Sequence, residues 1–64
     1  MGIRGTKVKR LRRKARLTQK QLTQKAKVSH VQVSRIERGE RGASIETLQR
    51  LARTLKVAES ELLY

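Results

Sequence analysis

The sequence predicts an all-α domain of five short helices, the second and third arranged as a helix-turn-helix. Three observations predict it. Proline is absent from the 64 residues. Apolar residues recur at intervals of three and four, the period of a helix face rather than of a strand. Hydroxyl residues stand at the heads of several of these stretches, and in two cases a glutamine follows three places later, the signature of a capping box. A chain this short forms one domain. It buries only about 60% of the surface its unfolded form exposes, which leaves little core to spare for a catalytic cavity.

Residues Met1–Thr6, with glycine at 2 and 5, read as a mobile arm. Thr6 is placed to cap a first helix over about Lys7–Arg16, with Val8, Leu11 and Ala15 on one face. Thr18-Gln19-Lys20-Gln21 forms a capping box and opens a second helix through Ala26, with Leu22 and Ala26 inward. Ser29-His30-Val31-Gln32 repeats the pattern and opens a third helix through about Arg38, which Gly39 ends. Glu40–Ala43 is a loop. Ser44 caps a fourth helix carrying the longest apolar stripe, Ile45, Leu48, Leu51, Ala52 and Leu55. A last short helix is expected over Ala58–Leu63, fraying because alanine is a poor N-cap.

The second capping box stands three residues after the second helix ends. Two short helices joined by so few residues cross steeply, as in a helix-turn-helix. At roughly 100° per residue, Val33 and Ile36 of the third helix fall on one side. His30, Val31, Ser34, Arg35 and Arg38 fall on the other. That outward mixture suits a major groove: arginine bridges guanine O6 and N7, histidine or serine meets base edges, and valine touches a thymine methyl.

Charge points the same way. The net charge is +12, and every acidic residue lies at or after Glu37. Residues 1–36 hold twelve of the seventeen lysines and arginines and no acid, so the first half carries the whole imbalance. Such self-repulsion is relieved by a polyanionic partner, with nucleic acid the first candidate and an anionic membrane surface the second.

Further matches run the length of the chain. They are Val8, Leu11 and Arg12, Leu17-Thr18-Gln19 with Leu22, Val28-Ser29, Val33, the run Ser34-Arg35-Ile36-Glu37-Arg38-Gly39, and Ser44, Leu48, Leu51, Leu55 and Val57. With these, the segment Val8–Leu63 resembles the Cro/phage-repressor helix-turn-helix family, the XRE type. The resemblance implies a compact five-helix lambda-repressor-like domain whose third helix enters the major groove of double-stranded DNA. It also implies a homodimer on a palindromic site, and a transcriptional regulator, most readily a repressor.

Position by position, the resemblance makes His30, Val31, Ser34 and Arg35 the base-facing residues. It places Thr18, Gln19, Arg38 and Arg41 against phosphates, and has Gln19 brace the third helix. Lys27, in the turn, adds a further phosphate contact. Arg12 and Glu37 match an ion pair joining the first helix to the end of the third. Leu62, Leu63 and Tyr64 are the candidate dimer patch, and Ile3 and Arg4 stand in an arm of the kind that reaches DNA in related domains.

The chain also departs from the pattern. Arg16, Lys27 and Lys56 occupy positions where the family has glycine after a helix. Left-handed geometry there costs a non-glycine residue on the order of 1 kcal/mol. A cation at a helix C-terminus returns about 0.3–1 kcal/mol. Thr23 replaces a small alanine, and Ala43 and Ala58 replace a loop proline and a cap.

Other classes have less support. With no cysteine and a single histidine, neither a disulfide framework nor a thiolate or tetrahedral zinc site is expected, and no cofactor. No carboxylate pair, nucleophile-base set or glycine-rich phosphate loop suggests an enzyme, and nothing suggests a small-molecule ligand. No apolar run approaches the roughly 20 residues of a membrane span, and no secretory signal precedes the domain, so the expected location is the cytoplasm. Two alternatives share the composition. A cationic RNA- or membrane-surface-binding protein would want aromatic residues, of which there is only Tyr64. The other is a helix-turn-helix used mainly for protein contact, as in an antitoxin-like complex.

Overall fold

The computed structural model describes residues 3–40 and 42–63. Four α-helices follow one another: α1 (Gly5–Lys14), α2 (Gln19–Ala26), α3 (His30–Glu37) and α4 (Ile45–Leu55). A 3₁₀ helix (Glu59–Leu62) closes the chain. Each element contributes at least one side chain to a shared core. Val8, Leu22, Val33, Ile36, Leu48, Leu51 and Leu62 are its largest fully buried members. Burying one such side chain stabilises a fold by about 1.5–3 kcal/mol.

Local signals account for most boundaries. At the head of α2, Thr18 Oγ1 accepts from the Gln21 N–H at 3.0 Å, and Gln21 Oε1 accepts from the Thr18 N–H at 2.9 Å. The box is complete. At the head of α3 only half of the expected box forms: the Gln32 N–H reaches Ser29 Oγ at 3.5 Å. The Gln32 side chain instead donates to Thr47 Oγ1 at 3.1 Å, binding α3 to the first turn of α4. Ser44 caps α4 as expected, accepting from the Thr47 N–H at 3.2 Å. Ile45, expected in the apolar stripe, is 57% exposed on the outer side of that first turn.

All four α-helices end in one way. The residues after the last turn of α1, α2 and α4 are Arg16, Lys27 and Lys56, with φ of 60°, 57° and 58°. After α3 the left-handed residue is Gly39, at φ 77°. In each case the next N–H bonds back five residues: Leu17 to Arg12, Val28 to Thr23, Glu40 to Arg35 and Val57 to Ala52. Leu17, Val28 and Val57 then fold against the core, the apolar contact that accompanies such caps. The three cations thus adopt the glycine geometry that their positions require. Thr23 fits its helix, buried with its hydroxyl donating to the Lys20 carbonyl at 2.7 Å.

The two ends depart from expectation. Residues 3–6, expected in an arm, are part of the packed domain. Ile3 is 5% exposed and forms an antiparallel bridge with Leu63, and the Arg4 N–H donates to the Leu62 carbonyl at 2.7 Å. α1 begins at Gly5 with Arg4 in the N-cap position, so Thr6 lies inside the helix and caps nothing. Gly5 permits a close crossing: a β-carbon there would sit 3.0 Å from the Ile36 carbonyl carbon and closer still to its oxygen. The last element is a 3₁₀ turn rather than a fifth α-helix. Ala58 supplies no side-chain cap, and the i→i+3 bonds Glu61 to Ala58 and Leu63 to Ser60 tighten the short segment. Rather than a frayed tail, this turn carries the fully buried Leu62.

Candidate nucleic-acid interface

The segment Lys27–Ser29 turns the chain from α2 into α3. α3 is fixed from beneath by Val33 and Ile36, 0% and 1% exposed. Its opposite side presents His30, Val31 and Arg35 to solvent, with Ser34 half-buried beside them. Val31 is 57% exposed, so its methyl groups are open to contact from outside. The four base-facing candidates therefore share one outward surface. A shallow groove bordered by Ser29, Val31, Gln32, Arg35, Gly42 and Ser44 flanks it.

Behind this surface runs a relay of hydrogen bonds through three helices. Arg12 Nε and Nη2 donate to Glu37 Oε2 and Oε1 at 2.8 and 3.1 Å, and Nη1 donates to the Leu17 carbonyl at 2.8 Å. The side chains of the pair are 10% and 2% exposed. Fork-to-fork geometry with low exposure makes this a strong, orientation-setting contact. Gln19 Nε2 donates to the same Glu37 Oε1 at 3.0 Å, and Gln19 Oε1 lies 3.1 Å from His30 Nε2. The brace expected of Gln19 is thus a physical chain from a buried ion pair to the first residue of α3. Its second amide hydrogen remains to point elsewhere.

The other sequence-predicted residues lie as follows. Thr18 is exposed at the head of α2, its oxygen engaged as a cap. Lys27 is exposed in the turn, and its carbonyl accepts from Arg50 Nη1 at 2.9 Å. Arg38 pairs with Glu40 at 2.7 Å, with both side chains more than half exposed. Such a pair is worth about 0–1 kcal/mol and yields readily to a phosphate. Arg41 and Tyr64 lie outside the described residues. In the proposed dimer patch, Leu62 is wholly buried within its own chain and so offers nothing to a partner, while Leu63 is half-buried.

Two residues of the site escaped the sequence reading. Gln32 has the spacing of a capping residue, but its side chain ties α3 to α4. Arg50 holds the turn carbonyl while pairing with Glu46 at 2.7 Å. The Glu46–Arg50 spacing of four is legible as a helix pair. The reach of Arg50 to Lys27 is a tertiary contact with no local signal.

Among the described residues every buried side-chain nitrogen and oxygen has a partner, and no cluster of three or more metal-ligating side chains occurs. No helix among them is long and apolar enough to cross a membrane.

Comparison with known proteins agrees with this geometry. The HTH_3 helix-turn-helix family model matches residues 8–62. The restriction-modification controller protein C.AhdI from Aeromonas hydrophila is 29% identical, with a TM-score of 0.87 over 92% of this chain and 89% of that one. SinR, the master regulator for biofilm formation, solved in complex with DNA, is 30% identical with a TM-score of 0.88, covering 92% and 98%. The P22 c2 repressor in complex with a synthetic operator is 28% identical with a TM-score of 0.89, covering 98% and 96%. No curated protein sequence matches the chain.

Proposed function

The chain belongs to the HTH_3 helix-turn-helix family, and from that premise we propose that it is a sequence-specific, double-stranded DNA-binding transcriptional regulator, a repressor. α3 lies in the major groove, where His30, Val31, Ser34 and Arg35 meet base edges. Thr18, Gln19, Lys27, Arg38 and Arg41 hold the flanking phosphates. Two copies bind a palindromic operator, reading half-sites about one helical turn apart. Leu63 and Tyr64 remain the candidate contact between them. The binding domain takes in Ile3 and Arg4 as well as the helices that follow them. It acts by binding alone, without catalysis, and its place is with the DNA inside the cell.

One observation carries the reading: the outward side of α3 combines an exposed valine with hydrogen-bonding and cationic side chains, while Val33 and Ile36 lock the inner side. Together these side chains match the acceptors, donors and thymine methyl that base pairs present in a major groove. The fold similarity to two regulators solved with DNA supports the same reading.

Selection of bound duplexes from a random pool tests it. A symmetric consensus is expected, with affinity falling about 10³–10⁵-fold between 50 and 200 mM salt for six to ten phosphate contacts. Binding that is absent at low salt, or equal for all sequences, would overturn the proposal.

A further inference from the structure

The relay ending at His30 dictates more than orientation. Glu37, clasped by Arg12, is a carboxylate and can only accept hydrogen bonds. Gln19 must therefore present its NH₂ to Glu37 Oε1 at 3.0 Å, because the flipped amide would set two acceptor oxygens against each other. This leaves Gln19 Oε1, an acceptor without hydrogens, facing His30 Nε2 at 3.1 Å. The ring nitrogen must donate. In a neutral imidazole only one nitrogen bears hydrogen, so Nδ1 is left with its lone pair. His30 opens α3 on the exposed side, and Nδ1 has no hydrogen-bond partner among the described residues.

We infer that the ion pair Arg12–Glu37, acting through Gln19, fixes neutral His30 as the Nε2–H tautomer, making Nδ1 a hydrogen-bond acceptor that selects a base carrying an exocyclic amine. In the major groove those amines are adenine N6 and cytosine N4, while guanine O6 and N7 and thymine O4 are acceptors that a lone pair repels. His30 and Arg35 then read by opposite chemistry on one helix: the arginine seeks acceptors and the histidine seeks a donor. Gln19 is a positioning residue for this choice. The tautomer follows from the protein alone, whereas the base preference rests on the DNA-binding reading above.

The experiment has two arms. In the first, long-range ¹H–¹⁵N correlation of the free protein at about pH 8, where ordinary imidazole is neutral, reports which ring nitrogen carries hydrogen. Nε2 is expected in the protonated range and Nδ1 in the unprotonated range. Gln19→Met should relax the tautomer ratio by about threefold to tenfold toward that of an unconstrained histidine side chain, the worth of one hydrogen bond. A protonated Nδ1 in the wild type, or a ratio unchanged in Gln19→Met, would overturn the relay.

In the second arm, duplex selection with wild type and His30→Ala identifies the base position whose preference the histidine sets. Adenine or cytosine is expected there. Removing only the amine, by purine for adenine or pyrimidin-2-one for cytosine, should weaken wild-type binding about threefold to tenfold and leave His30→Ala unchanged. Selection of guanine or thymine there would overturn the base assignment while leaving the regulator reading intact. Failure to bind any duplex would overturn both that reading and the base assignment, and the tautomer would then stand or fall on the spectrum.

Discussion

Arg12 and Glu37, on different helices and 25 residues apart, are joined by two hydrogen bonds of 2.8 and 3.1 Å and are almost closed to solvent. The carboxylate is shared, since Gln19 uses it as well. Removing one partner strands the other, a cost of about 3–5 kcal/mol for a buried pair. Arg12→Leu and Glu37→Leu should each destabilise by that amount in chemical denaturation, and the double variant by clearly less than their sum. Additive losses would mean that the two side chains do not act as a unit.

Ile3 and Arg4 stand in what resembles a dispensable tail in sequence, but Ile3 is built into the core. Ile3→Ala should lower stability by about 2–4 kcal/mol. Deleting residues 1–4 should be at least as damaging, because the bond from the Arg4 N–H to the Leu62 carbonyl goes with them. Thermal unfolding checks this. An unchanged midpoint in the deletion would show that the Ile3–Leu63 pairing contributes nothing.

Gly5 is required by proximity rather than by its own backbone angles. A methyl group there meets the main chain at Ile36 and Glu37, which cannot swing aside as a side chain would. Gly5→Ala is expected to cost about 1–3 kcal/mol despite the better helix propensity of alanine. A stabilised protein would contradict the crossing of α1 over the end of α3.

The left-handed cations separate stability from binding. Lys27→Gly and Lys56→Gly each relieve about 1 kcal/mol of backbone strain but lose charge at a helix C-terminus, a net gain of up to about 0.7 kcal/mol. Both should raise the unfolding midpoint similarly. Only Lys27→Gly should also weaken duplex binding, since Lys27 lies in the turn before α3 and is proposed to hold a phosphate, whereas Lys56 follows α4. Equal affinities for the two variants would remove Lys27 from the interface.

Arg35 and Lys27 should fail differently. Arg35→Ala is expected to lose about 1–3 kcal/mol of discrimination at one base pair, flattening that column of the selected consensus. Lys27→Ala should weaken all duplexes alike and reduce the salt slope by about one. A uniform loss from Arg35→Ala would show that it holds phosphate instead.

Where the fold was legible, the signal was local. Thr18 and Ser44 cap as their neighbours require, Val33 and Ile36 point inward as the helical period dictates, and Arg16, Lys27 and Lys56 take the turn geometry of the glycines they replace. The misread positions depend on contacts distant in sequence. Ile3 joins the core beside Leu63, 60 residues away, and the Gln32 side chain bonds Thr47 rather than its own cap. Ile45 follows the apolar spacing of α4 but lies at its first turn, ahead of the stripe that meets the core. In the site, residue identities fixed the surface, but the bond from Gln19 to His30 needed the two helices placed in space.

The pairing of Ile3 with Leu63 brings the first and last described residues of the domain together. A short linker joining them would close the domain into a ring with little distortion, so circular permutants opened at an exposed turn elsewhere should keep the same architecture. Any segment attached before Ile3 or after Leu63 will also leave from that one corner. Tags or partner domains attached there will compete for the same space.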